Sequence, residues 1–438
     1  MGLSSFGYHR RSVKNNAHWG MTMINHARAT KSLIAFIVTL CSAAVIADDH
    51  DEALNLTSIS PIHSTNFGID QGEIEEIKRA MQTAVDGEFL PGALLLVGNS
   101  EGVGVLESVG MQGPDDNTPV NKDTIFRIYS MTKPIISVAI MTMVEDGLIN
   151  LHDPLEKYIP EFGNLQVMDQ NTGATRPAES SITIENLLTH ESGIIQEIFS
   201  RDSDLGKMYA SELQGDNTAQ DFAARLGQLP VHFEPGTAWH YGHSTDVLGA
   251  VLEVAGDKTL DLILQERIFD PLGMDETSFW VPVTKKYRIA EAIHGAGMAN
   301  YTVPRKMLSG GGGLNSTTED YVRFAEMLLN GGIYRGNRII EESTLAQMRE
   351  KKIGDDVSRE FFFYGNTGDW GLGFHLQPTT ENANGPHNFG WRGIGGTFFA
   401  VDEENDFFMI YMEQKRGGPP SPFSANVAQR MVYEAMLN

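Results

Sequence analysis

Two polar side chains, Ser130 and Lys133, are spaced for nucleophilic chemistry in the segment "IYSMTKP". Residues three apart on a helix lie on the same face, one turn from each other. If a helix begins at Ser130, the unpaired amides of its first turn surround the hydroxyl and favour negative charge there. A partly buried lysine loses its proton more readily and can accept the proton of the serine. The pattern indicates either a nucleophile with its base or a helix-capping serine followed by a surface lysine, and these residues alone do not decide between them.

A second serine, Ser100, lies in "GNSEG", which matches the G-x-S-x-G pattern of a nucleophile elbow. That elbow requires a strand, a sharp turn and then a helix. Here the turn is followed by "VGVLESVG", which is typical of another strand. Glycines at a hairpin tip are explained by their tolerance of positive φ. We therefore interpret Ser100 as a residue of a hairpin turn.

The elements that must position these residues follow from periodicity. Apolar residues repeat at helical spacing from Glu73, two strands follow, and a helix is predicted from about Ser130 to Asp146. A mainly helical stretch continues to about residue 290. Then come a glycine loop, a helix whose start we interpret as a capping box of Ser316 and Glu319, a strand hairpin that turns at 403–406, and a closing helix. This order predicts an α/β (α+β) fold, with one antiparallel sheet flanked by helices and an inserted all-helical region.

The predicted domain covers residues 71–438, with the sheet region at about 71–128 and 291–438 and the helical region at about 129–290. Residues 1–47 differ from the rest, because they contain basic residues but no Asp or Glu. They end in a 16-residue run of mainly apolar and small residues, too short to span a bilayer comfortably. This pattern predicts a signal peptide, although a twin-arginine signal or an organelle transit peptide stays open. We expect export to the periplasm or the medium, an irregular lead-in at 48–70, and no stable membrane insertion after cleavage.

The composition excludes several classes of partner. The formal net charge of −24 argues against nucleic acid and anionic membranes, since phosphate groups would be repelled. The 13 histidines show no H-E-x-x-H or comparable spacing, so we expect no metal and no cofactor. The single cysteine, Cys41, lies in the leader and leaves the remainder without disulfides. The oligomeric state does not follow from these observations.

Several blocks in order carry a family resemblance. They are "FRIYSMTKPI", "MVEDGLINLHDPLEKYIP", "ITIENLLTHESGI", "EPGTAWHYGHSTDVLG", "GGGGLNSTTEDYVRFAEMLLNGG" and "FGWRGIGGTFF". Over residues 70–437 the chain resembles the serine β-lactamase superfamily, which includes class C β-lactamases, D,D-peptidases and family VIII carboxylesterases. The resemblance implies an acyl-enzyme mechanism carried by three motifs.

The first two motifs supply the catalytic side chains. The resemblance implies that Ser130 is the nucleophile and Lys133 its activating partner. The family's Tyr-x-Asn is matched by Tyr241, which would carry protons between Ser130 and the leaving group, whereas His243 stands in the asparagine position. From the residues alone Tyr241 could also be a packed aromatic. We expect His243 to contact the substrate or support the site by hydrogen bonding, and not to act as a base.

The third motif, Lys-Thr-Gly in the family, corresponds to Trp391-Arg392-Gly393. The implied oxyanion hole is formed by the backbone N–H groups of Ser130 and Ile394. Trp391 brings no positive charge toward a β-lactam carboxylate, and Arg392 should point to the other face of the strand. We expect Trp391 and Gly393 to border the substrate, with the indole offering apolar surface to a neutral group. From the residues alone Trp391 could also belong to the core, although "FGWRGIGG" is rich in glycine for an ordinary buried strand.

A tryptophan in this position is characteristic of the esterase branch of the family. The sequence therefore predicts a serine hydrolase that cleaves small neutral carboxylic esters through an acyl-enzyme on Ser130. One alternative is a class C-like β-lactamase or D,D-peptidase. An alternative of another class is a ligand-binding or sensor protein whose site has lost activity.

Overall fold

A computed structural model of the chain describes residues 68–293, 301–363, 368–378 and 387–437. The predicted signal peptide at 1–47 and nearly all of the lead-in at 48–70 lie outside these residues, so both stay predictions. Among the helices of the described ranges, none combines the length and apolarity needed to cross a membrane.

A seven-stranded antiparallel sheet organises the described chain, in the order β2-β1-β13-β12-β11-β10-β9. Its strands come from both ends of the sequence. They are β1 (Gly92–Asn99), β2 (Gly102–Gly110), β9 (Asp369–Trp370), β10 (His375–Pro378), β11 (His387–Arg392), β12 (Phe398–Asp402) and β13 (Phe407–Glu413). Three two-stranded sheets pair β3 (Ile125–Arg127) with β6 (Asn315–Thr317), β4 (Gln166–Met168) with β5 (Thr175–Pro177), and β7 (Ile333–Tyr334) with β8 (Asn337–Arg338).

Helices cover both faces of the large sheet. They are α1 (Gln71–Asp86), α2 (Thr132–Glu145), α3 (Ile184–Thr189), α4 (Asp204–Glu212), α5 (Ala219–Leu226), α6 (Ser244–Gly256), α7 (Leu260–Leu264), α8 (Asp270–Leu272), α9 (Thr318–Leu329), α10 (Glu342–Met348) and α11 (Ala425–Leu437). A π-helical turn, Gln265–Phe269, joins α7 to α8. Short 3₁₀ turns lie at Tyr129–Met131, Leu155–Lys157, Pro160–Asn164, Glu197–Phe199 and Val283–Arg288.

Side chains along the central strands point alternately to the two faces of the sheet, and this divides the hydrophobic core in two. Leu94 and Leu96 of β1 pack into the larger core with α2 and the helical region. Leu95 and Val97 face the other way and pack with α1 and α11. Because successive strand residues point to opposite faces, a strand buried on both sides needs a continuous apolar run, which "ALLLV" provides. The predicted fold, an antiparallel sheet flanked by helices with a helical insertion, is confirmed.

Two local predictions have different outcomes. Ser100 lies in the turn between β1 and β2, where its Oγ donates to Asp406 Oδ2 over 2.7 Å, so the hairpin interpretation is confirmed. The capping box at Ser316 is wrong. Ser316 pairs with Phe126 between strands β6 and β3, and the cap of α9 is Thr317, whose hydroxyl accepts from the Asp320 amide over 3.1 Å.

Candidate active site

Ser130 lies in the 3₁₀ turn that joins β3 to α2. The preceding residue, Tyr129, is buried and adopts a φ of +45°, a left-handed conformation that is costly for a residue with a Cβ. Such strained residues are enriched at active sites, where the surrounding packing holds them in place. Helix α2 has Met131 at its N-cap and no side-chain capping bond, so Ser130 is not the helix cap.

Lys133 follows on the first turn of α2 and is buried, with 3% of its surface exposed. Its Nζ lies 3.4 Å from Ser130 Oγ and donates to the carbonyl oxygen of Gly311 over 2.5 Å. Gly311 belongs to the glycine loop, residues 309–313, which leads into β6. The interpretation of Lys133 as a surface lysine is therefore wrong, because the loop and α2 enclose its side chain.

Tyr241 approaches the same hydroxyl from the segment before α6. Its OH donates to Ser130 Oγ over 2.7 Å, and Lys133 Nζ lies 4.6 Å from the centre of its ring. Gly242 makes this approach possible, because a Cβ there would lie 1.8 Å from the carbonyl oxygen of Ile194. Two side chains thus converge on the Ser130 hydroxyl oxygen, Lys133 from the next helical turn and Tyr241 from a distant part of the sequence.

An aromatic cluster supports Tyr241. Its ring centroid lies 4.8 Å from that of His190, 5.3 Å from Phe363 and 5.6 Å from Trp391. Trp391 is 3% exposed and packs edge-on against Trp370 at 4.5 Å. The expectation for Trp391 was an apolar wall facing the substrate. The structure instead buries the indole against the rings of Tyr241 and Trp370, and Trp391 is not among the described residues that line the cavity in front of Ser130.

The turn after β11 brings Gly393 and Ile394 to the site. A Cβ on Gly393 would lie 2.4 Å from the carbonyl oxygen of Ile128, so this position requires glycine for the close approach of the two segments. Ile394 is 49% exposed and lines the same cavity as Ser130. Arg392 lies on the opposite face of the sheet, where its Nη1 donates to Asn426 of α11 over 2.7 Å, as strand alternation predicts.

His243 lies between two carboxylates. Its Nδ1 is 2.9 Å from Asp246 Oδ2 and its Nε2 is 2.7 Å from Glu197 Oε2. Burial by itself lowers the pKa of His243, but the hydrogen bonds and charges of the two carboxylates outweigh burial and raise the pKa to about 9. Burial by itself raises the pKa of Asp246, but the bond to His243 and its charge bring the pKa down to about 2. The other oxygen of Asp246 accepts from the Ser309 hydroxyl at 2.6 Å and the Gly311 amide at 2.9 Å.

A cavity of about 360 Å³ opens in front of Ser130. It is lined by Tyr129, Ser130, Gln196, Ile198, Phe199, Phe222, His243, Asp246, Met307, Ser309, Gly311, Gly312, Ile394 and Arg416. A larger cleft, about 780 Å³, borders the β4–β5 hairpin. None of the described residues that line this cleft is a predicted site residue. The cavity that contains the candidate nucleophile is therefore the smaller one.

A model of the Beta-lactamase family matches residues 77–434. The chain belongs to the β-lactamase family. Esterase EstB of Burkholderia gladioli is 26% identical over 77% of this chain and 90% of that protein. The Escherichia coli D-alanyl-D-alanine-carboxypeptidase/endopeptidase AmpH is 27% identical over 75% of this chain and 78% of that protein. A solved structure, the hydrolase EstCE1, shares the fold with a TM-score of 0.69 and 20% identity, over 84% of this chain and 99% of that one.

Within this β-lactamase family site, the sequence did not predict Glu197, Asp246 or Arg416. Asp246 follows His243 by three residues at the start of α6, so helical spacing could have indicated their contact. Glu197 is 46 residues from His243, and Arg416 lies beyond β13. No local pattern connects either residue to Ser130.

Proposed function

We propose that the chain is a serine esterase that hydrolyses carboxylic esters through an acyl-enzyme on Ser130. The observation that carries this proposal is the convergence of Tyr241 OH, at 2.7 Å, and Lys133 Nζ, at 3.4 Å, on the Ser130 hydroxyl. A serine is a weak nucleophile unless a neighbouring group accepts its proton. Membership of a family of hydrolases and the similarity to EstB support the same conclusion.

The geometry supports the following sequence of steps. Ser130 Oγ attacks the ester carbonyl carbon while its proton passes to the Lys133–Tyr241 pair. The developing oxyanion is stabilised by the backbone N–H groups of Ser130 and Ile394. The pair then gives a proton to the alcohol oxygen as its bond to the carbonyl carbon breaks, which releases the alcohol and leaves the acyl group on Ser130. Water attacks the acyl group by the same path in reverse, which releases the acid and restores the serine.

Apolar side chains in the cavity favour a neutral acyl or alcohol group. Phe199, Phe222, Met307 and Ile394 line it, and Phe199 is 46% exposed. Such surface stabilises an apolar substituent when it leaves water. The third motif places no cation in this cavity, since Trp391 is uncharged and Arg392 binds Asn426 on the other face of the sheet. We therefore infer an ester with small apolar substituents as the substrate.

A second candidate, a β-lactamase or D,D-peptidase, is favoured by Arg416. This residue lines the cavity, and its Cζ lies 6.0 Å from the centre of the Tyr129 ring. A guanidinium binds a carboxylate with paired hydrogen bonds, and both β-lactams and peptide termini carry a carboxylate. The similarity to AmpH points in the same direction.

Hydrolysis of p-nitrophenyl acetate and butyrate, compared with nitrocefin, tests the proposal. We expect ester turnover to exceed nitrocefin turnover, to disappear in Ser130→Ala and to persist in Ser100→Ala. Dominant nitrocefin cleavage would establish the second candidate. An absence of turnover together with no covalent labelling of Ser130 by a fluorophosphonate would indicate a binding or sensor protein.

We also propose export, on the leader pattern alone. N-terminal sequencing of the protein from fractionated cells would test it. A chain recovered from the cytoplasm with its basic leader intact would contradict the proposal.

A further inference from the structure

Both ring nitrogens of His243 contact carboxylate oxygens, at 2.9 Å to Asp246 and 2.7 Å to Glu197. A neutral imidazole has a single N–H and can donate to only one of these groups. Its second nitrogen would then place a lone pair against an oxygen lone pair at hydrogen-bond distance. The pKa values of Glu197 and Asp246 are both lowered, so the two acids are carboxylates at neutral pH, and two such short contacts then indicate the protonated ring, which donates to both.

The groups around His243 leave it in the cationic form. Asp246 of α6 and Glu197 of the 3₁₀ turn supply the negative charges, and Phe222 of α5 presents an aromatic ring 5.1 Å away with no charge. Lys133 of α2 acts on Asp246 through its charge and lowers the pKa of that carboxyl. The second Asp246 oxygen is occupied by donors from the glycine loop. If the ring lost a proton and kept its N–H toward Asp246, Glu197, the more exposed acid, would lose its imidazole donor.

The two carboxylates belong to different parts of the cavity. Glu197 begins the 3₁₀ turn whose next residues, Ile198 and Phe199, line the cavity wall. Phe199 also contacts the Tyr241 ring at 5.8 Å. Asp246 holds the amide of Gly311, and the carbonyl oxygen of that residue binds Lys133. His243 therefore joins the wall of the cavity to the loop that fixes the lysine.

We propose that His243 is a cationic positioning residue that fastens the Glu197–Phe199 turn to the glycine loop and so sets the width of the substrate cavity. An asparagine, the residue that the Tyr-x-Asn motif would place here, cannot carry this charge. The inference deepens the proposed esterase function and rests on it, since it assigns the fit of the ester's apolar substituent to the Glu197–His243 contact. His243 acts through its neighbours and takes no proton from Ser130.

Histidine side-chain NMR tests the charge without any substrate. Burial lowers the pKa of His190, His232 and His240, and an unperturbed imidazole titrates near 6.5. At pH 8 we expect one histidine in the ¹⁵N-labelled protein to have both ring nitrogens protonated. This signal should be missing in His243→Asn, and if that variant does not fold, a shift of the signal in Glu197→Gln assigns it. Finding every histidine neutral at pH 8 would overturn the proposal.

Kinetics of Glu197→Gln test the positioning. The substitution keeps the shape and removes the charge, and Glu197 is 29% exposed, so the variant should fold. We expect KM for p-nitrophenyl benzoate to rise about tenfold, which is the typical effect of losing one charge-assisted hydrogen bond. We expect kcat for the smaller p-nitrophenyl acetate to stay within about threefold of wild type. Glu185→Gln, at a carboxylate 3.4 Å from the exposed His152, is the matched control.

The two readouts separate the proposals. An unchanged KM for the benzoate, or an equal loss on both esters, would contradict positioning by His243 while leaving the esterase function intact. An absence of ester turnover in the wild type would refute the esterase function, and a neutral His243 in the NMR spectrum would independently refute the cationic role.

Discussion

Gly242 separates Tyr241 from His243, and its backbone passes close to the Ile194–Ile195 segment. In Gly242→Ala the new Cβ would lie 1.8 Å from the carbonyl oxygen of Ile194. Side-chain Cβ atoms essentially never approach another heavy atom within 3.0 Å. The obstructing atom is backbone, so no side-chain rotation relieves the clash, and the two segments must separate by about 1.2 Å.

A displacement of this size acts directly on the catalytic contact. Tyr241 OH donates to Ser130 Oγ over 2.7 Å, and a shift of about 1.2 Å directly away from Ser130 would lengthen this contact to about 3.9 Å, beyond hydrogen-bond distance. Misplacement of a catalytic group by about 1 Å typically costs about 100-fold in rate. Overpacking a buried position typically lowers the free energy of unfolding by about 1–3 kcal/mol. We expect both effects in Gly242→Ala.

The assay combines urea unfolding with turnover of p-nitrophenyl butyrate at a temperature where the variant is folded. Gly163→Ala is the matched control, because its Cβ would meet only Glu156 Cβ, at an ordinary 3.7 Å. Turnover of Gly242→Ala within about threefold of the control, with unchanged stability, would refute the argument that this glycine positions Tyr241.

Three further predictions concern the same region. Tyr241→Phe should lower kcat by about 10²- to 10⁴-fold with little change in thermal unfolding, because its ring contacts remain; near-normal turnover would contradict a proton-transfer role. Trp391→Lys should lower the free energy of unfolding by about 3–5 kcal/mol without creating nitrocefin hydrolysis, since it buries an unpaired charge against Trp370; a stable variant with new nitrocefin activity would show the opposite. Burial raises the pKa of Glu413 from 4.5 to about 7, so the folded state holds this proton more tightly and stability falls as pH rises through 4.5–7. In Glu413→Gln, the loss of unfolding free energy between pH 4 and pH 8, measured by urea unfolding, should be about 3 kcal/mol smaller than in the wild type. The same loss in both proteins would contradict the assignment to Glu413.

The hairpin at Ser100 and the helix after Ser130 show what local patterns can predict. Alternating and helical periodicities depend on the geometry of one element, and adjacent residues carry that information. The cap predicted at Ser316 shows the limit, because three hydroxyl residues follow one another there. Pairing of β6 with β3 determines that Thr317, and not Ser316, reaches the helix amides.

The sequence by itself determined the antiparallel fold with its helical insertion and brought Ser130 and Lys133 to adjacent positions at the start of α2. Only the tertiary structure decided what surrounds them. It packed Trp391 against Tyr241 and Trp370, because these rings meet only when distant segments of the chain fold onto one another. It also connected His243 to Glu197 across 46 residues, and only the folded chain brings two such distant groups within hydrogen-bond distance.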